Sequence, residues 1–260
     1  ETVPAAAAGG KWSVTASVNG GAPQSLTISG TSATLPSFAL KGALNTVAFT
    51  NTYQTEGAQL IPDPTAGGWT LNGSSTLTGG ELVLSTAIAN QAGSAFWPHA
   101  VAPRALRIEY DASIGGGSGA DGLALIFADP ARGAKANSLG TSGGGLGFSG
   151  TPGIAVALDE YKNAVNPSNN FTGVADGPVT GHTDMLHWLG TANLLAPLQG
   201  ATHHITVTTS ATTLTVAVDG AQVLSQPVTL PASAYLGFSA GTGGSTNRHA
   251  IAHLSVTPSP

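Results

Sequence analysis

The chain has 260 residues, with 36 Gly, 16 Pro and no Cys; 8 % are charged, 41 % are hydrophobic and the formal net charge is −5. These figures exclude disulfides and thiolate zinc sites, a nucleic-acid partner, which needs clustered Lys and Arg, and disorder, which pairs low hydrophobicity with high charge. The length suits one large β-sandwich, alone or with a small extra module.

No stretch approaches the roughly 20 apolar residues of a membrane span, so no membrane insertion is expected, and no signal peptide is visible. The dominance of Ala, Gly, Ser and Thr suggests a secreted or cell-surface bacterial protein. The start at Glu1 and the end at Pro258-Ser259-Pro260 look like cuts through linkers.

Helical periodicity is nearly absent, and strand signals run the length of the chain. In order they are Lys11–Val18, Ser25–Ser29, Thr46–Asn51, Glu81–Ser85, Ala105–Ala112, Leu123–Phe127, Gly153–Asp159, residues 203–218, Ala234–Ser239 and Ile251–Val256. Residues 203–218 alternate apolar and polar around a central turn, as a half-buried hairpin does, and Asp219-Gly220 supplies the next turn. Many short strands with Gly-rich turns predict an all-β sandwich. Three parts are expected: a short β-rich module or extension over 1–56, a linker over 57–67 stiffened by Pro62 and Pro64, and a main domain over 68–257. The first part resembles the closing strands of bacterial stalk modules, through Gly10-Lys11-Trp12-Ser13-Val14 and Val47-Ala48-Phe49-Thr50-Asn51.

Several segments of the main part occur in a telling order: Trp69–Ser74, Gln91–Phe96, Gly116–Phe127 with Ala120-Asp121-Gly122 inside it, Gly144–Gly147, Ile154–Asn163, Leu214–Gly220 and Tyr235–Gly243. Together they resemble a bacterial L-type lectin domain, legume-lectin-like and concanavalin A-like. The resemblance implies a jelly-roll β-sandwich with a shallow sugar site and a glycan or polysaccharide partner. It implies that Asp121, after a cis Ala120-Asp121 bond, takes charge-assisted hydrogen bonds from two sugar hydroxyls. Gly144 or Gly145 brings a backbone N–H to the ligand. Asn163 donates its amide, Tyr161 stacks on the ring, and the loop with Gly243 and Gly244 forms the specificity wall.

The same resemblance implies a calcium loop, with Asp159, the Tyr161 carbonyl, Asn163 and Asn166 as oxygen ligands. Three positions depart from the plant pattern: Ala157 stands for the transition-metal Glu, Asn166 for the shared second Asp and Phe171 for the His ligand. No manganese is therefore expected. Calcium stays open: Asp184, Asp176 or Glu160 supplies a second carboxylate, or Asn side chains in 163–170 hold the loop instead.

Other residues read more plainly. In isolation Asp121 is a turn Asp before Gly. His182 and His187 around Asp184 read as a surface loop; His203 and His204 point to opposite faces. His249 and His253, four apart on a strand, are expected on one face. Trp97 and Trp188 are expected in the core. A glycoside hydrolase needs paired carboxylates facing one cleft, but Asp159 and Glu160 are strand neighbours pointing opposite ways, so no enzyme is expected. The alternative to a lectin adhesin is a structural or protein-binding surface domain with a degenerate sugar site.

Overall fold

A computed structural model describes residues 1–2, 10–29, 31–40, 42, 45–55, 59–177 and 186–259, and the chain divides into two compact units, Glu1–Leu60 and Ile61–Pro260. In the first unit β1 (Gly10–Val18) pairs antiparallel with β2 (Gln24–Leu26), and β3 (Ile28–Ser29) forms a hairpin with β4 (Ser32–Ala33). The strand β5 (Val47–Thr55) pairs with β1 along its whole length. The core is thin: Val14 and Ala33 are buried, with Leu26 and Ile28 against them.

Among the described residues the second unit holds fourteen strands: β6 (Thr70–Gly73), β7 (Thr76–Thr78), β8 (Glu81–Ser85), β9 (Ala92–Phe96), β10 (Leu106–Gly115), β11 (Gly122–Ala128), β12 (Gly153–Asp159), β13 (Phe171–Asp176), β14 (His187–Asn193), β15 (Ala201–Thr209), β16 (Thr213–Val218), β17 (Ala221–Pro227), β18 (Tyr235–Gly241) and β19 (Arg248–Pro258). They make two seven-stranded antiparallel sheets, one ordered β14-β13-β12-β11-β18-β9-β6 and the other β17-β16-β15-β10-β19-β8-β7. This is the all-β sandwich that the sequence leads one to expect.

The two sheets read differently in sequence because they are covered differently. In β10, Leu106, Ile108, Tyr110, Ala112 and Ile114 are buried and the residues between them are not, the alternation of a sheet with one wet face. Its neighbours β15 and β16 bury Ile205, Val207, Leu214 and Val216 in the same core. In the other sheet β11 and β12 are buried at every position. Leu123, Leu125 and Phe127 join the main core, while Ala124, Ile126 and Ala128 lie in a second cluster with Ala134, Leu146 and Phe148. Residues 129–150 thus close over the outer face of this sheet.

The two units divide at Leu60 and Ile61, within the stretch 57–67 expected as linker. Ile61 is in the main core. Asp63 Oδ1 accepts from the Thr65 N–H and caps a 3-10 turn at Pro64–Ala66, and its Oδ2 accepts from the Leu254 N–H at 2.8 Å. The expected shared face of His249 and His253 is lost. The β10–β19 register shifts between Glu109 and Asp111, and His253 has φ 54°. The bulge turns His253 out to solvent while His249 is fully buried.

Candidate functional site

The site forms where β11, β12 and β18 end together. Gly122 pairs with both Asp159 and Gly241, so the residues just outside these strands converge. Gly122 is required there: a Cβ would lie 2.2 Å from the Leu158 carbonyl oxygen. The Ala120-Asp121 bond is cis. The Asp121 N–H donates to the Gly241 carbonyl at 3.1 Å, and its carbonyl accepts from the Glu160 N–H at 2.9 Å. The backbone of Asp121 is thereby pinned from both neighbouring strands.

The Asp121 carboxylate is 3 % exposed. Its Oδ1 accepts from Asn163 Nδ2 at 3.3 Å, while Oδ2 is buried and has no hydrogen-bond partner. An ideal Cβ on Gly243 would lie 3.3 Å from Oδ2, and one on Gly143 3.9 Å from it. Two glycine loops therefore flank this oxygen, and the Gly243 N–H is the backbone donor turned toward the carboxylate. Burial pushes the Asp121 carboxyl above the ordinary carboxylate range, and the nearby Glu160 carboxylate adds to this; the Asn163 amide, the Gly243 backbone and His249 pull the other way.

Of the predicted glycines, Gly144 faces the site: a Cβ there would meet Asn163 Nδ2 at 2.5 Å. Gly145 is buried against Thr141 and Ser149, away from Asn163. Gly243 lies beside Asp121, whereas Gly244 has open space around it. The Gly243 carbonyl accepts from the Asn90 N–H at 3.0 Å, and Thr242 Oγ1 donates to the Ile88 carbonyl at 2.6 Å, so residues 86–91 brace this wall. No motif in the sequence marks the 86–91 brace.

The loop after β12 carries the remaining candidates. Asp159 is fully buried; its Oδ1 accepts from the Tyr161 N–H at 3.1 Å and its Oδ2 from Asn166 Nδ2 at 3.0 Å. Asn166 Nδ2 also donates to the Tyr161 carbonyl at 2.9 Å, and that carbonyl accepts the Asn163 N–H at 3.0 Å. Asn166 Oδ1 accepts from the Trp188 indole N–H at 3.0 Å. Burial holds the Asp159 carboxyl well above its usual range, with the Asp121 and Glu160 charges adding and the Tyr161 and Asn166 donors opposing. Tyr161 stands at the surface, 40 % exposed. Trp188, expected in the core, is only partly buried.

Neither of the two described candidates for a second carboxylate, Asp176 and Glu160, shares a hydrogen-bond partner with Asp159. Asp176 is at the far end of β13 from Phe171, about 17 Å away at strand rise, and binds His187 Nδ1 at 2.6 Å. Glu160 points to the opposite side from Asp159. Asp184 lies outside the described residues, as does His182. Among the described residues no group of three or more His, Cys, Asp or Glu side chains is placed to hold a metal.

Glu160 instead joins a buried network. Its two oxygens accept from Asn247 Nδ2 at 2.8 Å each, and Oε1 lies 3.1 Å from His249 Nε2. His249 Nδ1 is 2.7 Å from Ser85 Oγ, and Asn247 Oδ1 accepts from the Gly117 N–H at 2.7 Å. The Ser-His-Glu order resembles a nucleophile chain, but Ser85, His249 and Asn247 are fully buried, so this network braces the 116–119 loop leading into Asp121.

Solved structures with a similar fold include domains titled with bound sugars or as carbohydrate recognition domains. The exoplasmic/lumenal domain of VIP36, in a form titled as bound to Ca2+ and mannose, is 19 % identical over 74 % of this chain and 83 % of that one, with a TM-score of 0.59. The carbohydrate recognition domain of Emp46p, metal-free, is 16 % identical over 80 % and 96 %, with a TM-score of 0.59. The lectin of Bauhinia forficata in complex with GalNAc is 20 % identical over 77 % and 98 %, also with a TM-score of 0.59. The Legume-like lectin family matches residues 43–258, and the chain belongs to that family.

Proposed function

We propose that this chain is a carbohydrate-binding module of a secreted or cell-surface bacterial protein, an adhesin that holds a monosaccharide or glycan end at Asp121. The observation that carries this is the buried, unpartnered Oδ2 of Asp121 between Gly143 and Gly243. A buried acceptor without a donor costs about 1–3 kcal/mol; a ligand hydroxyl relieves that cost. Asn163 on Oδ1 orients the carboxylate, Gly144 keeps the turn beside Asn163 free of a side chain, and exposed Tyr161 supplies a ring platform. The lectin neighbours titled with mannose, Man3GlcNAc and GalNAc support sugars as the ligand class. A shallow polar site binds weakly, so useful strength comes from repeated copies.

The role of each part is one of binding. Asp121 accepts from adjacent hydroxyls, the Gly143 and Gly243 loops set which hydroxyl geometry enters, and the Glu160–Asn247–His249 network keeps the approach to Asp121 rigid. A glycan array probed with the labelled, multivalent protein tests the proposal. It predicts a set of related glycans bound by the wild type and lost in Asp121→Ala. A blank array, or one unchanged by the substitution, overturns it and favours a protein-binding surface domain.

A further inference from the structure

The resemblance implies calcium in the loop after β12, but the donors there do not fit a cation. An ion needs oxygens aimed at one point, and a loop built for it leaves such oxygens unpaired when it is absent. Here three of the four expected ligands already take N–H groups: Asp159 Oδ1 from Tyr161, Asp159 Oδ2 and the Tyr161 carbonyl from Asn166 Nδ2, and Asn166 Oδ1 from Trp188; the fourth, Asn163, turns its Nδ2 to Asp121. The unpartnered buried side-chain atoms among the described residues are Tyr110 Oη, Asp121 Oδ2 and Thr141 Oγ1, none of them in this set.

Trp188 decides which way the Asn166 amide faces. An indole N–H only donates, so it requires Oδ1 on its side and turns the NH2 toward Asp159 and the Tyr161 carbonyl. Coordinating a cation through Asn166 would need the amide reversed, with two donors left facing each other. The indole is held in place independently. It lies over Gly173, where a Cβ would sit 2.7 Å from the ring, and packs edge-on to Phe171 at 5.0 Å between ring centroids. Phe171 occupies the position of the family's missing His ligand, so the residue that removes one metal ligand also seats the ring that orients Asn166.

We infer that the Trp188–Asn166 pair replaces calcium in this loop, the Asn166 NH2 bridging Asp159 and the Tyr161 carbonyl where the ion would stand, so that the site is assembled without metal. Trp188 and Asn166 are positioning residues, acting on the sugar site through Tyr161 and Asn163. The consequence for binding rests on the proposed sugar site; the metal-free loop does not, and its test uses no sugar.

The test is thermal unfolding of the whole chain in EDTA and in about 5 mM CaCl2, since a ligand that binds only the folded state raises its melting temperature. The wild type is expected to melt at the same temperature in both. Asn166→Asp places two carboxylates together: it is expected to melt several degrees lower in EDTA and to recover in calcium. Trp188→Phe keeps the ring and loses the donor, and is expected to melt lower than wild type in both media. A wild type stabilised by calcium overturns the inference. So does an Asn166→Asp protein indifferent to calcium, or a Trp188→Phe protein as stable as wild type. If Asn166→Asp fails to fold in both media, the wild-type and Trp188→Phe melts still decide the matter.

Discussion

Asn163 donates to Asp121 across 3.3 Å, linking two loops 42 residues apart in sequence. The contact ties the acid that would receive the sugar to the loop that carries Tyr161. Changes on either side should therefore be felt in binding before they are felt in folding.

Tyr161→Ala removes a ring that is largely outside the core. Aromatic stacking is worth about 0.5–1.5 kcal/mol, so affinity for a glycan found on the array should fall roughly threefold to tenfold. The melting temperature should stay within a degree or so, since surface changes are mostly small. Tyr161→Phe should bind nearly as wild type. Calorimetry beside thermal denaturation checks both.

Gly144→Ala tests the other side of the contact. The added Cβ meets the amide of Asn163, the movable end of a flexible side chain. The protein should fold with a small loss of stability while Asn163 is pushed off Asp121. Binding should drop by about tenfold, the equivalent of one hydrogen bond to a charged group. Gly145→Ala, whose Cβ would collide with Thr141 Oγ1 at 2.0 Å, should lose stability instead.

The buried Ser85–His249–Glu160–Asn247 network predicts a stability effect with a functional echo. His249→Ala leaves Ser85 Oγ without its 2.7 Å partner and removes one contact from Glu160. Breaking a buried polar network of this kind costs about 2–5 kcal/mol, measurable by urea unfolding. Because Asn247 also holds Gly117, glycan binding should weaken in the folded fraction.

The outer side of β10 predicts a pH dependence. Asp111 accepts from His204 Nδ1 and His253 Nδ1, each at 2.8 Å. These contacts raise both imidazoles above the usual histidine range, with Glu109 helping at His204 and Asp63 and Glu81 at His253. Burial alone would raise Asp111, but the two histidines outweigh it and hold its carboxyl low. A raised histidine contributes stability below about pH 6.5 and loses it as pH rises through the folded value; a lowered carboxyl contributes above about pH 3.9 and loses it on acidification. The contribution should be complete between those limits and fade toward pH 8. All three groups are solvent-screened, so the effect is small. Comparing urea midpoints of wild type and Asp111→Asn at pH 5.5 and 8 should show the difference between the two proteins shrinking at the higher pH.

Much of the fold is legible in sequence where one face of a strand is wet. Residues 203–218 read as a hairpin and form β15 and β16, with Thr209 opposite Leu214. The strands that escaped notice lie mainly in the other sheet: Thr70–Gly73, Ala92–Phe96, Phe171–Asp176 and His187–Asn193. Loops cover parts of that sheet, and its residues are small, so neither alternation nor bulk marks them. Gly173 is one such case, kept small by the Trp188 ring above it.

The site divides in the same way. Asp121, Asn163 and Gly144 stand in recognisable motifs and the structure brings them together. The Asn166–Trp188 contact spans 22 residues and two elements; no local pattern shows that an indole N–H points at one amide oxygen. His253 leaves the face of His249 because a bulge, invisible in a pattern of apolar residues, resets the strand's period.

In the proposed site Asp121 receives the sugar. Titrating the best glycan from the array into wild type and Asp121→Ala, with circular dichroism to show that both are folded, tests it most directly. Losing charge-assisted hydrogen bonds of about 1.5–3 kcal/mol each predicts at least a tenfold to hundredfold loss of affinity. Equal affinity in a folded Asp121→Ala protein would contradict the account.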